Sequence, residues 1–246
     1  MAVALPNLFT LSGMFCGFWA VVLAADAISP RALVRAELAI FFGIFFDMAD
    51  GRVARLTRSQ SAFGTQMDSL ADVVTFGVAP AFIAHRWALA QFGAWGAAAA
   101  FFYIACGTMR LARFNVLANS GGHEPRAFFV GLPIPLAAGL ATSWIMVQSR
   151  RGATHPQASG QVAALLVGLG MLMVSRVRYR TFKDVAVNRA SKVLFVAGSA
   201  AFLALAWALE PPLALLSLFS GYVGMGLVET LLRRIRGPKP GRTLTR

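Results

Sequence analysis

Asp47, Asp50, Asp68 and Asp72 are the side chains whose type and spacing could do chemistry. The chain has 246 residues but ten acidic ones, against 23 lysines and arginines. Four of those acids crowd into one short stretch, at or near the ends of two strongly apolar segments. Asp47 and Asp50 are three apart and Asp68 and Asp72 four apart, so each pair shares a helix face. A carboxylate in the middle of a bilayer costs at least about 2.5–3.5 kcal/mol, so it needs a partner or a water-filled cavity. Four together also repel one another. Either the neighbouring Arg52, Arg55 and Arg58 or a bound divalent cation can offset that repulsion. The connection over 55–67 is short enough to fold the two helices back as neighbours, which lets the four carboxylates converge between antiparallel helix ends. Oxygen donors of this kind suit Mg²⁺ or Mn²⁺ and suit Zn²⁺ poorly. Two ions would match a two-metal arrangement for phosphoryl chemistry. Ala49, Gly51, Ala54 and Gly64 are small enough to admit a ligand or a neighbouring backbone.

The elements that must hold these groups follow from composition. Hydrophobic residues make up 57% of the chain and charged ones 13%, with mean hydropathy +0.64. Soluble domains carry about 25% charged residues, so an ordinary cytosolic globule is excluded, as is a disordered or collagenous chain. A helix needs about 20 apolar residues to cross a hydrocarbon core. Such segments fall at 8–27, 32–54, 69–90, 95–117, 128–148, 161–177, 193–209 and 213–232. The expected fold is therefore all-α, a polytopic integral membrane bundle of about eight helices, with 1–246 forming one domain. The first segment reads as a span rather than a cleaved leader, because residues 1–7 carry no lysine or arginine. Glu37 and Glu229, the other acids within apolar segments, are expected to pair with arginine or reach the interface.

Net charge is +13, and its distribution orients the bundle. With the N-terminus inside, Arg52, Arg55 and Arg58, then Arg110, Arg113 and Arg126, then the basic residues of 176–192 and of the tail 233–246 share the cytoplasmic side. The active face and both termini are then expected in the cytoplasm, at a cell inner membrane. No aromatic–basic interleaving points to nucleic acid. Cys16 and Cys106 sit in apolar runs without metal or redox spacing, and His85, His123 and His155 stand singly. Neither a disulfide framework nor a histidine metal site is expected.

Written with its gaps, the acidic stretch is Asp47-x2-Asp50-Gly51-x2-Ala54-Arg55-x8-Gly64-x3-Asp68-x3-Asp72. It resembles the signature of the CDP-alcohol phosphotransferase family at every fixed position. The resemblance implies a membrane enzyme, built on about six core helices with additions, that displaces CMP from a CDP-linked lipid or alcohol with divalent metal. It further implies that Asp47, Asp50, Asp68 and Asp72 are metal ligands, that Asp72 is also the general base, and that Asp50, Gly51, Ala54, Arg55, Gly64 and Thr65 line the CDP pocket. Asn7, after Pro6, and Thr10 one turn on also resemble a family feature near the nucleotide. A homodimer is implied as well.

Three more stretches bear on the acceptor. They are Ser69 to Pro80, Arg110-Leu-Ala-Arg113-Phe114-Asn115, and Phe129-Val-Gly131-Leu-Pro133-Ile-Pro135. All three resemble the serine-accepting branch of the family, in which CDP-diacylglycerol and L-serine give a phosphatidylserine and CMP. Arg110 and Arg113 lie three apart at a helix end and can present two cations to one side. With Asn115 they could hold a serine carboxylate. The alternatives are another acceptor within the family (glycerol phosphate, choline or inositol phosphate), a cation-coupled transporter, or a lipid-binding scaffold.

Overall fold

The computed structural model describes residues 4–26, 30–57, 61–119, 128–151, 155–180 and 210–235, with a few isolated positions between 198 and 208. The expected segment 193–209 and most of the basic stretches 176–192 and 233–246 lie outside the described residues. What is described is a helical bundle: α1 (Ala4–Ala25), α2 (Pro30–Leu56), α3 (Ala62–Phe92), α4 (Ala94–Asn119), α5 (Ile134–Arg150), α6 (His155–Val174) and α7 (Pro211–Ile235). Proline, whose fixed φ and missing N–H suit a first turn, opens α2 and α7 and stands at Pro133–Pro135 before and within the start of α5. Pro6–Ala25, Ala62–Phe92 and Pro211–Leu232 are long and apolar enough to cross a membrane by length and composition. Outward-facing Leu8, Leu11, Phe15 and Phe18 of α1 and Phe42, Phe45 and Met48 of α2 form an apolar exterior suited to lipid.

Three expectations are corrected. The fifth apolar segment starts its helix at Ile134, not at 128, because Phe128–Val130 (β1) instead pairs antiparallel with Arg178–Arg180 (β2). Gly131, at φ 84°, turns the chain out of β1 and donates its N–H to the Val177 carbonyl at 2.8 Å; a side chain there would strike the Met173 carbonyl. The third helix begins at Ala62 rather than 69, because Ser61 caps it, its hydroxyl accepting from Gly64 N–H at 3.0 Å. Gly64 and Thr65 therefore belong to a helix, not to the connection. Glu37 neither snorkels nor finds a hydrogen-bond partner: it is fully buried in α2 with both oxygens unpartnered.

α3 is the irregular helix, with π turns at Val73–Val78 and His85–Leu89. Pro80 has no N–H to offer the Phe76 carbonyl four residues back. Tyr103 of α4, fully buried, donates its hydroxyl to that carbonyl at 3.0 Å instead. Farther along, Arg86 reaches the Ala25 carbonyl at the end of α1 at 3.2 Å. α1 packs along α2 and also against α3, so three helices, not two, enclose the acidic region.

Candidate active site

Thr75, in the first π turn of α3, holds those three helices together. Its hydroxyl donates to the Gly13 carbonyl of α1 at 3.1 Å. The close approach needs glycine on both neighbours: an added Cβ at Gly17 would lie 2.5 Å from Thr75 Cα, and one at Gly43 of α2 2.5 Å from Thr75 Cγ2. Beside this contact lies a cleft of about 190 Å³, including the open solvent at its mouth. Thr10, Gly13 and Met14 line it from α1, Gly43, Asp47 and Asp50 from α2, and Asp68, Ala71, Asp72, Thr75 and Phe76 from α3.

Oxygens of Asp47, Asp50 and Asp68 lie within 4.8 Å of one another. Asp72 lines the same cleft one helical turn beyond Asp68 without joining that set. Asp50 is the most enclosed by exposed fraction, at 6%, and accepts a hydrogen bond from the Thr10 hydroxyl at 2.9 Å. Among the described residues no lysine or arginine comes within ion-pair distance of the four carboxylates. Arg52 is exposed, and Arg58 and the Arg55 side chain lie outside the described residues. Three hard oxygen donors, mutually repelling and without a cationic partner, fit a divalent cation.

The residues expected around a nucleotide fall at the same end. Asn7 meets Gly64, whose added Cβ would be 3.7 Å from Asn7 Oδ1. Gly51 and Ala54 are half-buried on α2 beyond Asp50, and Thr65 is exposed, its hydroxyl donating to the Ser61 carbonyl at 3.2 Å.

The expected acceptor residues divide. Arg110 of α4 is half-buried, its Nε enclosed without a partner. Arg113, one turn on, is exposed. Asn115 is buried and ties α4 to α3, its Nδ2 donating to Ser69 Oγ at 2.9 Å and Gln66 Oε1 at 3.5 Å, while its Oδ1 has no partner. Ser69 and Thr75 entered the sequence reading only as members of the stretch Ser69 to Pro80, with no role of their own, and Gln66 did not enter it. Ser69 stands beside Asp68 on the next face of the helix, a position that could have flagged it. Nothing local marks Thr75 except the glycines it meets on other helices.

A membrane-apolar helical bundle with an acidic cleft of this spacing defines a class, and comparison with known proteins bears it out. The family model CDP-alcohol phosphatidyltransferase matches residues 3–230, and the chain belongs to that family, as an integral membrane protein. It is similar to the CDP-diacylglycerol–serine O-phosphatidyltransferase of Helicobacter pylori, 36% identical over 232 residues, 94% of this chain and 92% of that one. The Bacillus subtilis protein of the same name is 34% identical over 179 residues, 73% of this chain and 91% of that one. Archaetidylserine synthase of Methanothermobacter thermautotrophicus is 32% identical over 179 residues, 72% and 70% of the two chains.

Proposed function

We propose that the chain transfers the phosphatidyl group of CDP-diacylglycerol to the hydroxyl of L-serine, giving phosphatidylserine and CMP. The observation that carries this reading is the three-helix cleft where oxygens of Asp47, Asp50 and Asp68 gather within 4.8 Å. Relatives named as serine phosphatidyltransferases, matching over most of this chain, support the choice of acceptor. In this reading Asp47, Asp50, Asp68 and Asp72 hold Mg²⁺ or Mn²⁺, two ions for four carboxylates. Bound metal would neutralise the pyrophosphate and the charge growing on the departing CMP. Asn7, Thr10, Asp50, Gly51, Ala54, Arg55, Gly64 and Thr65 form the CDP pocket. Arg110, Arg113 and Asn115 form the serine side.

Asp72 takes the proton of the serine hydroxyl as that oxygen attacks the phosphatidyl phosphorus. The bond formed joins the serine oxygen to phosphorus. The bond broken joins that phosphorus to the bridging oxygen, which leaves with CMP carrying the electron pair. Acyl chains stay in lipid while the head group enters the polar cleft, which accounts for phosphate chemistry in so apolar a protein.

The basic clusters support a cytoplasmic active face and cytoplasmic termini at an inner membrane, with 233–246 as a basic tail on a single domain 1–246. We also propose a homodimer, which cross-linking in membranes tests. The decisive assay uses purified protein in detergent or liposomes with CDP-diacylglycerol, L-serine and Mg²⁺ or Mn²⁺. CMP release with serine is expected, lost on EDTA treatment and regained with either metal. Release with glycerol 3-phosphate, inositol phosphate or choline, and none with serine, overturns the acceptor alone. Ion flux in proteoliposomes without CMP release overturns the enzyme reading.

A further inference from the structure

Thr75 meets its neighbours one helical turn from the polar groups of the cleft. Gly13 is three residues past Thr10 on α1, Asp47 four past Gly43 on α2, and Thr75 three past Asp72 on α3, and all six line the cleft. Thr75 is buried, and both arms of its side chain are committed. The hydroxyl donates to the Gly13 carbonyl at 3.1 Å, and the γ-methyl enters the notch at Gly43, where an added Cβ would lie 2.5 Å from it. At Gly17, one turn farther along α1, an added Cβ would come 2.5 Å from Thr75 Cα and 2.8 Å from its hydroxyl oxygen. Serine lacks the methyl for the contact with α2, and valine lacks the donor for the bond to α1.

The carboxylate set is divided between helices: Asp47 and Asp50 come from α2 and Asp68 from α3, with oxygens within 4.8 Å of one another. A cation shared by two helices is sensitive to a slip of one along the other, and Mg²⁺ in particular demands near-ideal geometry, with oxygens at about 2.0–2.1 Å. α1 is tied to α2 by the Thr10–Asp50 bond and by a close backbone approach, where an added Cβ at Gly13 would lie 3.7 Å from the Gly43 carbonyl oxygen. Fixing α3 to α1 therefore fixes Asp68 against Asp47 and Asp50. We propose that Thr75 is a positioning residue whose hydroxyl sets the height of α3 against α1, and thereby the affinity of the cleft for a divalent cation. The methyl serves packing. This rests on the metal reading above and extends it to an uncharged residue one turn away from the carboxylates.

Mn²⁺ binding to the purified full-length protein in detergent, without substrate, tests it, read from the loss of the free-ion electron paramagnetic resonance signal. Thr75→Val keeps the shape and removes the hydroxyl, whereas Thr75→Ser keeps the hydroxyl and empties the notch. The Mn²⁺ Kd should rise about tenfold or more in Thr75→Val, the scale of groups that support metal ligands, and stay within about threefold of wild type in Thr75→Ser. Thr75→Ser should nevertheless lower the melting temperature. In turnover with CDP-diacylglycerol and L-serine, the Mn²⁺ concentration for half-maximal CMP release should rise in parallel in Thr75→Val, with kcat at saturating Mn²⁺ within about threefold of wild type. A Thr75→Val Kd within about threefold of wild type overturns the proposal. So does an equal loss of binding in Thr75→Val and Thr75→Ser, which marks general loosening of the packing. If Thr75→Val does not fold, Thr75→Ala, which relieves contacts and adds none, is judged by the same Kd. Wild-type protein that binds no Mn²⁺ defeats the metal reading itself and this proposal with it, a different result from protein that binds the ion whatever stands at position 75.

Discussion

The three helices that line the cleft and the elements packed beyond them are built on opposite plans. Around the cleft several polar groups are already engaged: Thr10 bonds Asp50, Thr75 bonds the Gly13 carbonyl, and Ser61 caps α3. Beyond the lining, on α4 and β2, buried polar atoms are left without partners, namely Arg110 Nε, Asn115 Oδ1 and Tyr179 Oη. Buried polar groups are seldom left so, because each costs about 1–3 kcal/mol. The contrast separates two jobs. In the proposed reading the carboxylate side is pre-organised for the nucleotide diphosphate, and the acceptor would complete the α4 side.

Breaking the carboxylate side should have the largest effect. Asp68→Asn and Asp72→Asn should each lower CMP release by more than about a hundredfold, beyond the 10–100-fold typical of groups that only support metal ligands. Neither should lower thermal stability in detergent, because each removes one of several mutually repelling charges. Activity within tenfold of wild type in either variant would remove the basis for treating the four aspartates as one unit.

Backbone packing separates the regions next. Gly17→Ala would drive a methyl against the Thr75 backbone and Gly43→Ala against its γ-methyl. Overpacking of this kind costs about 1–3 kcal/mol, with Gly17 the worse because backbone yields less. At Gly221 of α7 an added Cβ meets nothing within 4 Å, so Gly221→Ala should not destabilise and should gain about 0.5–1 kcal/mol from the lost mid-helix glycine. Melting temperatures of the three variants in one detergent check the order. Among the cleft helices, Thr10→Val keeps the shape and deletes the bond to Asp50. Activity should fall about tenfold, the scale of a hydrogen bond to a charged group, with the serine KM unmoved.

The same contrast decides how far the sequence could be read. Asp47, Asp50, Asp68 and Asp72 obey helical periods of three and four within adjacent helices, so the spacing made it visible that they face one cleft, where oxygens of Asp47, Asp50 and Asp68 gather. The mainly helical fold and the positions of α2, α4 and α7 followed from apolar runs. The start of α3 was hidden because hydropathy outweighs a single capping serine. β1 was hidden because Phe-Phe-Val reads equally well as a strand or as part of an apolar helix. That Asp72 would lie one turn away from the other three carboxylates depends on how α3 sits against α1, through Thr75 and two glycines on different helices. Tyr179 and Tyr222 had no local signature at all; their stack depends on a notch at Gly226 and on a strand pairing that only the folded chain supplies.

Tyr103 joins α4 to the cleft helices and gives the smallest and most specific effect. Pro80 removes the helical donor of the Phe76 carbonyl, and the Tyr103 hydroxyl replaces it at 3.0 Å across the α3–α4 boundary. Tyr103→Phe leaves the ring in place and takes away that donor, so the loss is one buried hydrogen bond, about 1 kcal/mol. The π turn that carries Phe76 is held independently by Thr75 against α1, so the carboxylates should keep their positions. Melting temperature should therefore fall by a few degrees while kcat and both KM values stay within about twofold. A selective rise in the serine KM would mean instead that the carboxylate cleft and α4 are mechanically coupled through this bond.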